Sequence, residues 1–118
     1  MHRYKELYVW QKAIDLAVEV YKITEQLPSQ ERFGLIAQMN KCAVSIPSNI
    51  AEGAGRNSPK DFDNFLGIAL GSSFELDTQL VISTRLSFVQ EEDYQRLEKE
   101  LEHVQNMIAK LKKSLNLH

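Results

Sequence analysis

One apolar stripe keeps its helical phase across a proline, and that feature constrains this chain more than any other. Ile36, Met39, Ala43, Ile46, Ile50 and Gly53 recur three and four residues apart, the spacing of one face of an α-helix. Pro47 lies inside the stripe without disturbing its phase. The pattern therefore predicts one helix kinked at Pro47 rather than two helices. An interior proline costs about 3 kcal/mol through a lost hydrogen bond and a clash with the preceding turn, so packing on this helix must compensate. The helix is expected to open near Ser29 or Gln30, after Leu27-Pro28 breaks the segment before it. Gly53 and Gly55 are expected to end it, either one suited to a left-handed C-terminal position.

Three further segments share the same period. In the first, from about Glu6 to Gln26, Val9, Ala13, Leu16, Val20, Ile23 and Leu27 form one stripe. Trp10, Ile14, Ala17 and Tyr21 form a second beside it. Together they are wider than the apolar face a simple bundle helix needs, so the helix is expected to contact its own bundle and something else. Val9, Trp10 and Tyr21 are the residues expected between copies of the chain. The third segment opens with Ser58 as N-cap, Pro59 at the first helical position and Asp61 in reach of a capping-box arrangement. It runs to about Leu86, with Phe62, Phe65, Leu66, Ala69, Ser73, Leu76, Leu80 and Ser83 inward. Gly71-Ser72-Ser73 in its middle leaves room for a neighbouring helix. In the fourth, Tyr94, Leu97, Leu101, Val104, Ile108, Leu111 and Leu115 give an unbroken repeat, with acid at the start and lysines near the end to complement the helix dipole. Short connections between long helices imply antiparallel neighbours. The fold expected is all-α, an up-down-up-down four-helix bundle in a single domain over residues 1–118.

Several function classes find little support. The single cysteine, Cys42, excludes an intrachain disulfide and reads as a small buried hydrophobe. His2, His103 and His118 share no metal-ligand spacing, so no metal and no cofactor are expected. No unbroken apolar run approaches the roughly 18 residues of a membrane span, and the N-terminal residues lead into no signal-peptide core. A cytoplasmic location with no membrane partner is therefore expected. The net charge of −2 argues against coating nucleic acid by charge alone. The distribution is uneven: residues 1–60 hold eight Lys/Arg against six Asp/Glu, and residues 61–118 hold six against ten.

Two runs of residues resemble a known family. Leu7-Tyr8-Val9-Trp10-Gln11-Lys12-Ala13 opens the chain's first helix, and Gln38 to Arg56, containing Ser45-Ile46-Pro47-Ser48-Asn49-Ile50-Ala51-Glu52-Gly53-Ala54-Gly55-Arg56, forms its centre. Phe65 to Ser72 and Glu75 to Leu80 follow. These residues are similar to the S23 or intervening-sequence proteins, first noticed as reading frames inside insertions in bacterial large-subunit ribosomal RNA genes. The resemblance covers nearly the whole chain. It implies a bundle assembling as a homopentameric ring, with no established molecular activity. It extends to the accessory protein of diversity-generating retroelements, which works with a reverse transcriptase and nucleic acid.

The polar residues of the central run remain open to two readings. Asn49, Glu52 and Arg56 are spaced for one helical face, and Glu75 and Gln79 stand four apart on the third helix. They form either a ligand or phosphate pocket anchored by Arg56 or a hydrogen-bonded clamp that holds the second helix on the third and fixes register. In the clamp reading Arg56 pairs with Glu52 or Glu75. No nucleophile–base pattern or phosphate loop accompanies Glu52 and Glu75, so catalysis is not expected. Arg3, Lys5, Lys12, Arg56 and Lys60 form a modest cationic set that a ring would repeat, giving multivalent contact with RNA or DNA. The expected function is a non-enzymatic scaffold that binds itself and a protein partner, or else a nucleic-acid-binding accessory protein.

Overall fold

The computed structural model describes residues 2–115. Four helices carry the fold: α1 (Tyr8–Thr24), α2 (Leu35–Ala54), α3 (Pro59–Arg85) and α4 (Glu91–Ser114). Short 3-10 turns at Tyr4–Glu6 and Ser29–Glu31 precede α1 and α2. Each helix packs on its neighbours in sequence, and α1 also packs on α4, which closes the square. The register is antiparallel. Ser45 meets Ser72, Cys42 meets Glu75, and Gly53 meets Phe62 and Phe65, so positions on α3 rise as those on α2 fall. The pairs Tyr94–Asp77 and Lys112–Asp63 show the same relation for α3 and α4. The 27 residues of α3 account for about 40 Å at 1.5 Å per residue, close to the 43 Å long axis of the molecule.

The core is the stripe set anticipated above. Val9, Ala13, Leu16, Val20 and Ile23 of α1, Met39, Ala43, Ile46 and Ile50 of α2, Phe62, Leu66, Ala69, Leu76 and Leu80 of α3, and Leu97, Leu101, Val104 and Ile108 of α4 form one buried cluster. Helix α2 is continuous through Pro47, whose ring is buried. Ser58 caps α3, its Oγ accepting from Asp61 N at 3.0 Å.

Three expectations are corrected. Helix α2 begins at Leu35 rather than at Ser29 or Gln30, because residues 29–31 form a separate 3-10 turn. The Glu31 carboxylate then accepts from Leu35 N at 3.4 Å, supplying an acceptor for a free amide of the first turn. Neither Gly53 nor Gly55 takes a left-handed conformation: no described glycine has positive φ, and the Gly55 C-cap is right-handed, φ −79° and ψ −8°. Gly53 serves close approach instead. A Cβ there would stand 2.8 Å from Phe65 Cβ and 2.9 Å from Phe62 Cδ1. Val9 is 5% exposed and belongs to the chain's own core, so it is not free to lie between copies.

Candidate functional site

The polar residues of the central run separate into two groups. Glu52 and Arg56 stand together on the surface. Arg56 Nη2 donates to Glu52 Oε1 at 2.8 Å, and its guanidinium lies 5.0 Å from the Phe65 ring centroid. Both side chains are about half exposed, so the pair contributes little to stability. It adds a cation–aromatic contact that ties the α2 end to α3. Asn49 turns elsewhere, donating through Nδ2 to the Ser45 carbonyl at 2.8 Å and to Ser45 Oγ at 2.9 Å. Ser45 Oγ in turn shares a hydrogen bond with Ser72 Oγ at 2.8 Å. That bridge joins α2 to α3 at the Ser72-Ser73 pair, where small side chains let the two helices meet. Gly71 itself has no neighbour within 4 Å of a built Cβ, so its bare backbone faces outward.

Glu75 and Gln79 join a second cluster in a cleft between α2 and α3. Gln38, Lys41, Cys42, Ser45, Ser72, Glu75 and Gln79 line about 420 Å³ of accessible space. Cys42 Sγ donates to Glu75 Oε2 at 3.7 Å. Burial raises the Cys42 thiol above its ordinary value, and the nearby Glu75 carboxylate raises it further against an opposing contribution from Gln79. The thiol is therefore protonated near neutral pH and a poor nucleophile. Gln79 Oε1 is buried without a hydrogen-bond partner. Arg56 and Glu75 do not pair. Sequence reading took Cys42 as packing alone and passed over Gln38, Lys41 and Ser72, although Gln38, Cys42 and Ser45 recur at the four-three spacing that puts them on one α2 face.

The cationic set is partly gathered. His2 N donates to the Ala54 carbonyl at 2.8 Å, and the His2 ring packs on Phe62 at 5.0 Å. Arg3 and Lys5 thereby stand beside Gly55, while Arg56 and Pro59 share a second recess with Leu115. The end made by residues 2–6, 52–63 and 109–115 holds seven Lys/Arg against four carboxylates (Glu6, Glu52, Asp61 and Asp63). Part of this charge is internally neutralised, since Lys112 Nζ lies 2.9 Å from Asp63 Oδ1. Lys12 is elsewhere, over the Tyr8 ring whose edge meets His103 of α4. Among the described residues no group of three His, Cys, Asp or Glu side chains could hold a metal ion; His118 lies outside them.

The outward faces of α2 and α3 differ from that of α4. Of the twenty residues of α2 only Lys41 and Glu52 are charged. Helix α3 is long and apolar enough by length and composition to cross a membrane, yet only 33% of its most apolar window is buried in the molecule. Counting unbroken apolar runs missed this, because Gly67, Gly71, Ser72 and Ser73 and the two carboxylates Glu75 and Asp77 interrupt the run. Ile68, Phe74 and Ile82 on α3 and Val44 on α2 are 43–54% exposed. On α1, Tyr21 and Val18 are also exposed and Trp10 is half-buried, its ring edge on Tyr4.

Residues 5–110 match the family model described as 23S rRNA-intervening sequence protein. The chain belongs to that family. Its fold is shared by a crystal structure of a protein of unknown function from the S23 ribosomal protein family of Bacteroides thetaiotaomicron. That structure aligns with a TM-score of 0.83 at 25% identity, covering 89% of this chain and 98% of the other. A search of curated proteins finds no match. Across the family match, the intervening-sequence bundle presents here two surfaces with unmet bonding capacity: the α2–α3 face with its cleft, and the cationic end.

Proposed function

We propose that this intervening-sequence protein is a non-enzymatic scaffold that assembles with copies of itself through the outward faces of α2 and α3. The observation carrying this reading is the apolar window of α3, only one third of which is buried by its own chain. Ile68, Phe74, Ile82 and Val44 leave several side chains in water, each worth roughly 1.5–3 kcal/mol when fully buried. Large apolar side chains left exposed on neighbouring helices are the material of interaction sites. The family resemblance gives five as the expected number of copies. Sedimentation velocity at micromolar concentration tests the reading: a stable oligomer supports it, and a folded monomer rejects it. Co-flotation of that monomer with neutral lipid vesicles would assign the apolar face to a membrane instead.

A second reading is favoured by the gathering of Arg3, Lys5, Arg56 and Lys60 at one end of the bundle. A ring would display that end once per copy, and multivalent contacts would bind a polyanion that one copy holds weakly. In this reading the protein is an accessory factor for RNA or for a nucleic-acid enzyme. Titration with structured RNA and duplex DNA should then show affinity that falls steeply with added salt, since each neutralised phosphate releases a counterion. Absent or salt-independent binding at low ionic strength rejects it.

A further inference from the structure

Phe33 is 89% exposed, more than any other large apolar side chain of the described residues. It projects from a short segment held in place by hydrogen bonds rather than from a slack loop. Arg32 N donates to the Ser29 carbonyl at 3.1 Å, and Gly34 N donates to the Glu31 carbonyl at 3.0 Å. The Glu31 carboxylate receives Leu35 N just beyond. Arg32, beside Phe33, is exposed and takes part in none of the ion pairs among the described residues. The α1–α2 connection thus ends in a fixed projection with one aromatic ring and one free guanidinium.

The α2–α3 cleft has the complementary chemistry. Its α3 wall supplies an exposed acceptor, the Glu75 carboxylate. Lys41, the one cation of the cleft, stands on the α2 wall. A guanidinium carries five N–H donors in a planar fork and no acceptor, so it can bond both oxygens of a carboxylate at once. Ile68 and Ile82 are exposed and continue the four-three spacing of Ser72, Glu75 and Gln79 along α3, so they extend the cleft's α3 wall with apolar surface for an aromatic ring.

We propose that the α2–α3 cleft is the socket for the Arg32–Phe33 projection of a second copy of this chain, Arg32 meeting the Glu75 carboxylate and Phe33 covering the apolar rim. This rests on the self-assembly reading above and names its contact. Projection and socket occupy different surfaces of one molecule, so the contact is heterologous: every copy gives one projection and receives another, and a suitable rotation closes a ring. Cleft residues 38–45 lie roughly 6–16 Å along α2 from Gly34 at 1.5 Å per residue. Projection and socket thus differ by about two helical turns in height on one bundle, so a closed ring requires the bundle axes to be inclined to the ring axis.

The test uses the full chain and four variants: Arg32→Glu, Glu75→Arg, the two combined, and Phe33→Ala. Sedimentation velocity reads association, and circular dichroism melting confirms that each variant is folded, as expected for exposed positions. Each single variant should weaken association at least tenfold, and the combined charge exchange should restore it. Single reversals that leave the oligomer unchanged, or a combined variant that fails to reassemble, would overturn the socket. A wild-type chain that is itself a folded monomer overturns the assembly reading as a whole. A wild-type oligomer indifferent to all four variants overturns only this contact.

Discussion

Ser87 closes α3 in the left-handed region, φ 65°, the only non-glycine described with positive φ. Phe88 N donates to the Ser83 carbonyl and Ser87 N to the Thr84 carbonyl, both at 2.9 Å. This is the Schellman pattern that glycine ordinarily completes. Because a side chain costs roughly 1–2 kcal/mol in that conformation, Ser87→Gly should raise stability by about 1 kcal/mol, read as a higher urea midpoint at unchanged slope. Gly53 shows the opposite case. An added Cβ meets Phe65 Cβ and Phe62 Cδ1 inside 3.0 Å, so Gly53→Ala should lose about 1–2 kcal/mol despite alanine's better helix propensity. Urea unfolding again decides, and an unchanged or raised midpoint would show that α3 can shift. Tyr94 supplies a pH test. Burial raises its phenol well above the ordinary tyrosine value, with hydrogen bonds to Glu98 and Asp77 adding to the shift. Below about pH 10, where unfolded tyrosine begins to ionise, both states hold the proton and its contribution is constant. Above that pH the unfolded chain releases a proton that the folded chain keeps, so stability falls as pH rises. Cys42 acts with the same sign and is present in both proteins compared. The fall in urea midpoint from pH 8 to pH 10.5 should therefore be smaller in Tyr94→Phe than in wild type.

At the scale of elements, α2 carries an arithmetic the other helices do not. Proline inside a helix costs about 3 kcal/mol relative to alanine. Pro47 is buried, and trimming it to alanine removes the burial of about two methylene groups, roughly 1.6 kcal/mol, with a small cavity added. The helix term is larger, so Pro47→Ala should stabilise the folded chain by about 1 kcal/mol, measured by urea unfolding; a loss would mean that the proline's packing outweighs its backbone penalty. Helix identity, the α3 cap and the inward stripes were legible because each follows from spacing and local chemistry. The start of α2 was less legible, since residues 29–31 and α2 both favour helical backbone and only Arg32, Phe33 and Gly34 separate them, Gly34 leaving the helical region with φ −107° and ψ −112°. The roles of Gly53 and Gly55 were misread for a related reason. Sequence shows that glycine is present, and only a neighbouring helix shows whether it serves backbone conformation or close approach.

For the molecule as a whole, α4 and the α2–α3 side differ in charge. Helix α4 is charged along its outer face, with Arg96 bridging to Glu19 of α1 at 3.1 Å. The α2–α3 side is nearly uncharged. Ile68 is half exposed on α3 and is not one of the buried core residues, so Ile68→Glu should leave the melting temperature of the isolated chain nearly unchanged. In the assembly reading the same change buries an unpaired carboxylate between copies, and sedimentation velocity should show dissociation to smaller species. Unaltered association would remove this face from the interface.

Sequence alone determined the four helices, their antiparallel order and their buried stripes, because helical period, caps and breakers act over a few residues. It also determined the family, through the run around Pro47. The tertiary structure decided which polar residues meet. It separated Arg56 from Glu75, placed Glu75 and Gln79 with Cys42 in a cleft, took Val9 into the core and left Phe33 outside. Such pairings depend on the rotation and separation of packed helices, and small differences in either move a side chain from a partner into solvent.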